Sequence, residues 1–444
     1  MEHHANTTPY RTLGVGEKSI AFVLDTEASL APVFARIEAI EAENTARVLA
    51  AFQKEGVAQR HFSPTTGYGY DDIGRDTLDP SMLITAAVTI TLDRVFAHSL
   101  QCQDALVRPH FTSGTHAIFT ALSGLLEPGD TLLSITGKPY DTLESAIGIA
   151  GDEPGSLKRL GIQYRQVDLT EDAIDLPKVL AALEDPSIKV VYLQRSRGYA
   201  WRNALLPQEM APIFQAIRQK KPTPFIVVDN CYGEFTQPNE PSAYGADVLI
   251  GSLIKNPGGG IAPTGGYIAG TSAAIDRIQG RLTVPGMGRE VGSYDASYRP
   301  YYQGLFMAPH TVAQSLKSAV LFAGVFERAG LVSMPASDAP RSDIVQALRF
   351  QDANGLIAFC KSIQQAAPID SFVTPEPWDM PGYQSQVIMA AGAFVQGSSI
   401  ELSADGPITA PYTAYVQGGL TYAHGRMGAM FAVDALVKAG EMRL

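Results

Sequence analysis

Seven short apolar stretches, at 105–111, 131–135, 162–169, 189–193, 225–229, 248–252 and 266–269, alternate with segments of helical periodicity such as 115–126. Such alternation confines a chain to a mainly parallel sheet covered on both faces, an α/β doubly wound domain. A turn at Glu127-Pro128-Gly129-Asp130 marks one junction. At 444 residues the chain is too long for one simple core. We expect an N-terminal helical arm over 1–80, a large sheet domain over 81–300 and a smaller α+β domain over 301–444. Apolar residues at helical spacing predict one long amphipathic helix over 27–52. In the C-terminal third, 312–331 and 342–365 read as helical, 371–375, 386–394 and 398–403 as strands, and 422–439 as a closing helix.

The net charge of −11 offers no basic stripe for nucleic acid. No apolar run approaches the roughly 20 residues that span a bilayer, and the first residues carry no leader-like apolar core. A cytoplasmic protein with no membrane or nucleic-acid partner is the expectation. Cys102, Cys231 and Cys360 are odd in number and far apart, which suggests neither a disulfide framework nor a zinc knuckle. No internal repeat, P-loop or His-Glu-x-x-His pattern is present, and His116 and His310 lack partners at metal-ligand spacing.

Chemistry concentrates where strands end. Asp229 closes one apolar stretch and Lys255 follows the next, so both emerge at the sheet edge where open α/β folds keep their ligands. An acid and a lysine so placed suit pyridoxal phosphate, the carboxylate holding the pyridine nitrogen protonated and the amine forming a Schiff base. A structural Asp and a surface Lys are equally compatible with the pattern. Ser113-Gly114-Thr115 opens a helix after the first strand and could cradle a phosphate with its hydroxyls and free N–H groups, or simply cap the helix. Ser252 brings another hydroxyl to that edge, and Tyr140 could lay its ring on a planar cofactor or sit in a surface turn. Arg195, Arg197 and Arg202 cluster after the 189–193 stretch; one could bind a carboxylate while the others are solvated. The glycine- and aromatic-rich loop 61–79 reads as functional or as mobile surface.

Several strings in order, SGTHA, GKPYDT, QRSRGYAWR, VDNCYGEF, GSLIKNPGGG, PEPWDMPGY and ELSADGP, resemble the aluminium-resistance family. That family is methionine γ-lyase-like, a branch of the fold-type I pyridoxal-phosphate enzymes related to cystathionine and methionine lyases. The resemblance spans about 68–424. It implies a seven-stranded large domain and a smaller C-terminal domain, with pyridoxal 5'-phosphate as cofactor. Position by position it makes Lys255 the Schiff-base lysine and proton shuttle, Asp229 the pyridinium partner and Tyr140 the stacking ring. Ser113, Gly114, Thr115 and Ser252 become the phosphate shell. Tyr70, with Arg75, stands in the loop that related lyases lend to a neighbouring subunit, which implies a homodimer or homotetramer with shared active sites.

The implied activity is carbon–sulfur lysis of a sulfur-containing amino acid, by β- or γ-elimination to a thiol, a 2-oxo acid and ammonia. Base catalysis by Lys255 requires an amine pKa below that of free lysine. One departure bears on substrate binding: related lyases carry a carboxylate-clamping arginine before a Leu-Ser pair, and this chain has Glu401 before Leu402-Ser403. A carboxylate there would repel the substrate's own, leaving Arg197 and Arg202 as replacements. The alternatives are other amino-acid chemistry on the same cofactor (aldolase, racemase or aminotransferase) and a cofactor-binding protein of metal tolerance with little lyase activity.

Overall fold

A computed structural model describes residues 8–62, 86–292, 294–380 and 385–444. The chain divides into two compact units, one of Glu43–Gly198 and Ala204–Pro309, the other of Met1–Ala42, Tyr199–Asn203 and His310–Leu444.

The first unit holds a seven-stranded sheet: β1 (Asp104–Arg108), β2 (Thr131–Ser134), β3 (Gln163–Gln166), β4 (Ile188–Gln194), β5 (Phe225–Asp229), β6 (Val248–Ser252) and β7 (Gly266–Gly270). All seven expected strands form, in the order β1-β7-β6-β5-β4-β2-β3. β2 to β6 pair in parallel, whereas β7 runs antiparallel to both β1 and β6. The central strands read as continuous apolar runs because helices cover both faces; β2, β6 and β7 are buried along their whole length. β3 departs from the apolar reading. Its Gln163-Tyr164-Arg165-Gln166 is mostly exposed, as suits an edge strand that must resist further pairing. Helix Gly114–Leu125 buries Ile118, Ala121, Leu122 and Leu125 in a core shared with Leu106, Ile250 and Ile268, and with Ile275 and Ile278 of helix Ser272–Leu282.

The second unit carries an antiparallel sheet of β8 (Val332–Met334), β9 (Val345–Arg349), β10 (Val387–Ala390), β11 (Ser403–Pro407) and β12 (Thr413–Gln417), ordered β10-β11-β12-β9-β8. The expected α+β character is present, but the local assignments shift. The stretch 342–365 is not one helix: β9 precedes helix Ala353–Ala366, which Asp352 starts by accepting the N–H groups of Asn354 and Gly355. Residues 371–375 form no strand, and the strand expected at 398–403 lies at β11. The closing helix is Tyr422–Ala439, capped by the Thr421 side chain. Phe326, Phe350 and Phe359 fill this core; the Phe326 ring meets each of the other two edge-on at 5.7 Å.

The long N-terminal helix is two, Glu17–Ser29 and Ala31–Lys54. The break falls at Leu30, and Pro32, which lacks an N–H, sits in the first turn of the second helix where none is needed. Among the described residues no helix is long and apolar enough to cross a membrane.

Candidate active site

The site is built at the C-terminal ends of β4, β5 and β6. Asp229, the last residue of β5, stands in register with Gln194 of β4 on one side and Ile250 of β6 on the other. The carboxylate is buried; Oδ1 accepts the Cys231 N–H at 3.1 Å, and Oδ2 accepts one long bond from the Tyr192 hydroxyl at 3.4 Å. Burial pushes the Asp229 carboxyl above the ordinary range, against the opposing pull of the Lys255 charge. The same burial, reinforced by the Asp229 charge, raises the Tyr192 hydroxyl and the Cys231 thiol well above their usual values.

Lys255 leaves the turn after β6. Its amine lies 3.8 Å from the centre of the Tyr232 ring. Burial alone would lower its pKa, but the surrounding Cys231, Tyr232, Asp229 and Tyr140 groups more than offset this and the net shift is upward. The following glycines are there for space: a Cβ on Gly258 would lie 1.7 Å from the Leu253 carbonyl oxygen, and one on Gly259 would lie 2.4 Å from the Gly304 carbonyl oxygen.

The start of helix Gly114–Leu125 faces the end of β6. Ser113 caps the helix by accepting the His116 N–H at 3.1 Å. Gly114 approaches so closely that an added Cβ would sit 3.3 Å from Ser252 Cβ and 3.5 Å from Cys231 Sγ. The Thr115 hydroxyl meets the Tyr140 hydroxyl at 2.9 Å, and the Tyr140 N–H donates to Gln194 Oε1 at 3.1 Å. Burial raises the Tyr140 phenol as well, so it stays protonated. Ser113, Gly114, Thr115, Tyr140, Asp229 and Ser252 thus converge on one sheet edge with Lys255. Free N–H groups at a helix start, hydroxyls and a glycine cradle can receive an anion, and a buried carboxylate beside an amine can hold a cationic ring nitrogen.

Other expected residues fall differently. Arg195, Arg197 and Arg202 are all buried, so none is a solvated loop charge. Arg195 bonds to Asn230 Oδ1 at 2.6 Å, Glu240 at 3.2 Å and the Thr236 hydroxyl at 3.2 Å, bracing the turn after β5. Arg202 donates to the Asn203 carbonyl at 2.9 Å. Tyr70 and Arg75 lie outside the described residues. Glu401, 3% exposed, takes the Phe394 N–H at 2.9 Å and the Val395 N–H at 3.0 Å on its two oxygens. These contacts hold the loop at 394–395. His116 accepts the Thr112 N–H and His310 pairs with Glu41 at 2.6 Å. Among the described residues no group of three or more His, Cys, Asp or Glu side chains is arranged to hold a metal.

Sequence reasoning passed over Tyr232, Tyr192, Gln194 and Asn256. Asn256, fully buried, donates to the carbonyls of Tyr232 at 2.9 Å and Glu234 at 3.0 Å. Its adjacency to Lys255 was the available signal; Tyr192 and Gln194 gave none beyond their place at a strand end.

Residues 19–437 match the family model described as methionine gamma-lyase. YnbB of Bacillus subtilis is 49% identical over 97% of this chain and 99% of its own length. A carbon-sulfur lyase involved in aluminum resistance from Clostridium novyi superposes with a TM-score of 0.89 at 46% identity, over 98% of this chain and 99% of that one. The pyridoxal-5'-phosphate dependent protein YhfS of Escherichia coli, 14% identical with a TM-score of 0.59 over 90% of this chain and 97% of that one, shares the fold, which is fold type I. With a family model covering almost the whole chain and a relative matched end to end, this chain belongs to the methionine gamma-lyase family.

Proposed function

We propose that this chain is a pyridoxal-phosphate-dependent carbon–sulfur lyase acting on a sulfur-containing amino acid. The observation that carries the reading is the buried Asp229 carboxylate ending β5, in the same cluster as the Lys255 amine and the Gly114 cradle. The residues fit the cofactor. Asp229 Oδ2 has only a long 3.4 Å bond, so it can accept from a pyridinium N–H, and the bare Gly114 lets the helix start approach Ser252 closely, which gathers its N–H groups and the Ser252 hydroxyl for phosphate oxygens. Bound there, pyridoxal phosphate supplies an electron sink for charge developing at the substrate's α-carbon.

The chain's own groups do the rest. Asp229 would keep the ring nitrogen protonated, and Ser113, Gly114, Thr115 and Ser252 would hold the phosphate. Tyr140, its hydroxyl tied to Thr115, would lie against the cofactor ring. Lys255 would hold the cofactor, and its amine is placed to take a proton from the substrate's α-carbon. The Lys255 ammonium then returns a proton as the thiol leaves. Arg197, a buried guanidinium in the same unit as Asp229 and Lys255, is the group we propose for the substrate carboxylate. The name of the Clostridium novyi relative supports carbon–sulfur lysis as the reaction class.

The test is 2-oxo acid release by the cofactor-loaded protein offered cystathionine, cysteine, homocysteine and methionine. Lys255→Ala should abolish it, a loss of at least a thousandfold, and the preferred substrate assigns β or γ elimination. An intact visible cofactor band with no release from any of the four would end the lyase reading.

A further inference from the structure

Tyr232 is neither glycine nor asparagine, yet its φ is +71°, a conformation that costs an L-residue energy. The strain is held from two sides. The Gly233 N–H closes the turn onto the Asn230 carbonyl at 2.9 Å, and Asn230 is fixed in turn by Arg195 and Glu240. Asn256 contributes the second restraint by directing its side-chain amide at the carbonyls of Tyr232 and Glu234, from a position with no exposure to solvent. Asn256 Oδ1 is buried without a hydrogen-bond partner among the described residues, a cost that the two amide bonds to Tyr232 and Glu234 offset.

What it fixes is the Tyr232 ring, whose centre lies 3.8 Å from the Lys255 amine. Lys255 and Asn256 are consecutive, so one peptide unit carries both the amine and the clamp that aims the ring at it. The π face attracts an ammonium far more than a neutral amine. It can therefore hold the protonated lysine without drawing it into an ion pair with Asp229, whose carboxylate is needed elsewhere. Among the described residues this ring lies within 3.8 Å of the Lys255 amine.

We propose that Tyr232 is a catalytic residue, a rest on which the displaced Lys255 amine is held while protonated, and that Asn256 is the positioning residue that aims its ring. This rests on Lys255 being the reacting amine of the proposed lyase.

The test reads Lys255 directly. The full-length protein, freed of cofactor by dialysis against hydroxylamine, is labelled competitively with acetic anhydride across pH, and Lys255 acetylation is followed by mass spectrometry. Tyr232→Phe, which keeps the ring, should leave the Lys255 titration in place. Tyr232→Leu should lower its midpoint by about one unit, roughly tenfold more labelling at neutral pH. Asn256→Ala should shift it in the same direction, and adding Asn256→Ala to Tyr232→Leu should add little, because both remove one contact. In the loaded enzyme Tyr232→Leu should lower kcat with KM nearly unchanged. An unshifted Lys255 midpoint in folded Tyr232→Leu, or an equal shift in Tyr232→Phe, would overturn the proposal. The labelling result stands apart from the lyase reading, which fails instead if Lys255→Ala still releases 2-oxo acid.

Discussion

Glu234 shows how much of the site's chemistry is set one residue at a time. Its carboxyl lies against Gly251 of β6, where an added Cβ would be 2.4 Å from Oε1, and it accepts the Tyr267 hydroxyl at 2.8 Å. Burial lifts its pKa from 4.5 to about 8, so at neutral pH it is a neutral acid two residues beyond Tyr232. Between pH 4.5 and about 8 the folded chain keeps a proton that the unfolded chain releases, so this residue makes stability fall as pH rises. The slope is about 1.4 kcal/mol per pH unit within that window and vanishes outside it. Glu234→Gln, which cannot ionise, should remove this slope, so that urea midpoints of the two proteins converge or cross as pH rises from 5 to 8. Parallel curves would mean that Glu234 is ionised in the folded protein.

At the scale of elements, what could be read in advance divides by length and by surroundings. Asp229 and Lys255 were legible because one ends and the other follows a mostly apolar strand whose end must meet solvent or ligand. The small sheet was not. Val345-Gln346-Ala347-Leu348-Arg349 has no alternation, since β9 is almost entirely buried between two neighbours, and a five-residue run cannot be told from a turn of buried helix. Nor does any residue pattern announce the positive φ at Tyr232; that conformation is imposed by Asn256 and the Asn230 turn. The Gly114 approach, by contrast, joins two legible elements and sets a clear expectation. Gly114→Val would push a branched side chain into Ser252 and fill the cradle at the helix start. It should weaken pyridoxal phosphate binding at least tenfold, about 1.4 kcal/mol, while thermal unfolding moves by only a few degrees. Equilibrium dialysis of the cofactor reads this, and unchanged affinity would remove Gly114 and Ser252 from the phosphate shell.

For the whole molecule the question is whether one chain completes its own site. Thr112, Ser113 and His116, at the mouth of the cradle, are exposed in the single chain, an open flank where a neighbouring copy could add a phosphate contact. The resemblance to the lyases assigns that contact to Tyr70 of an adjacent subunit, so we propose an assembly of two or four chains with shared sites. Closed symmetry makes the exchange reciprocal, each chain lending what it borrows. Lys255→Ala and Tyr70→Ala should each be nearly inactive alone. Mixed one to one and allowed to exchange subunits, half of the dimers become hybrids, and each hybrid rebuilds one of its two sites from the Lys255 of one chain and the Tyr70 of the other. Activity should then recover to about a quarter of the unmutated level. Recovery near zero, with exchange verified by native mass spectrometry, would show that each chain builds its site alone. The open flank beside Ser113 would then be the substrate's entrance and not a subunit contact.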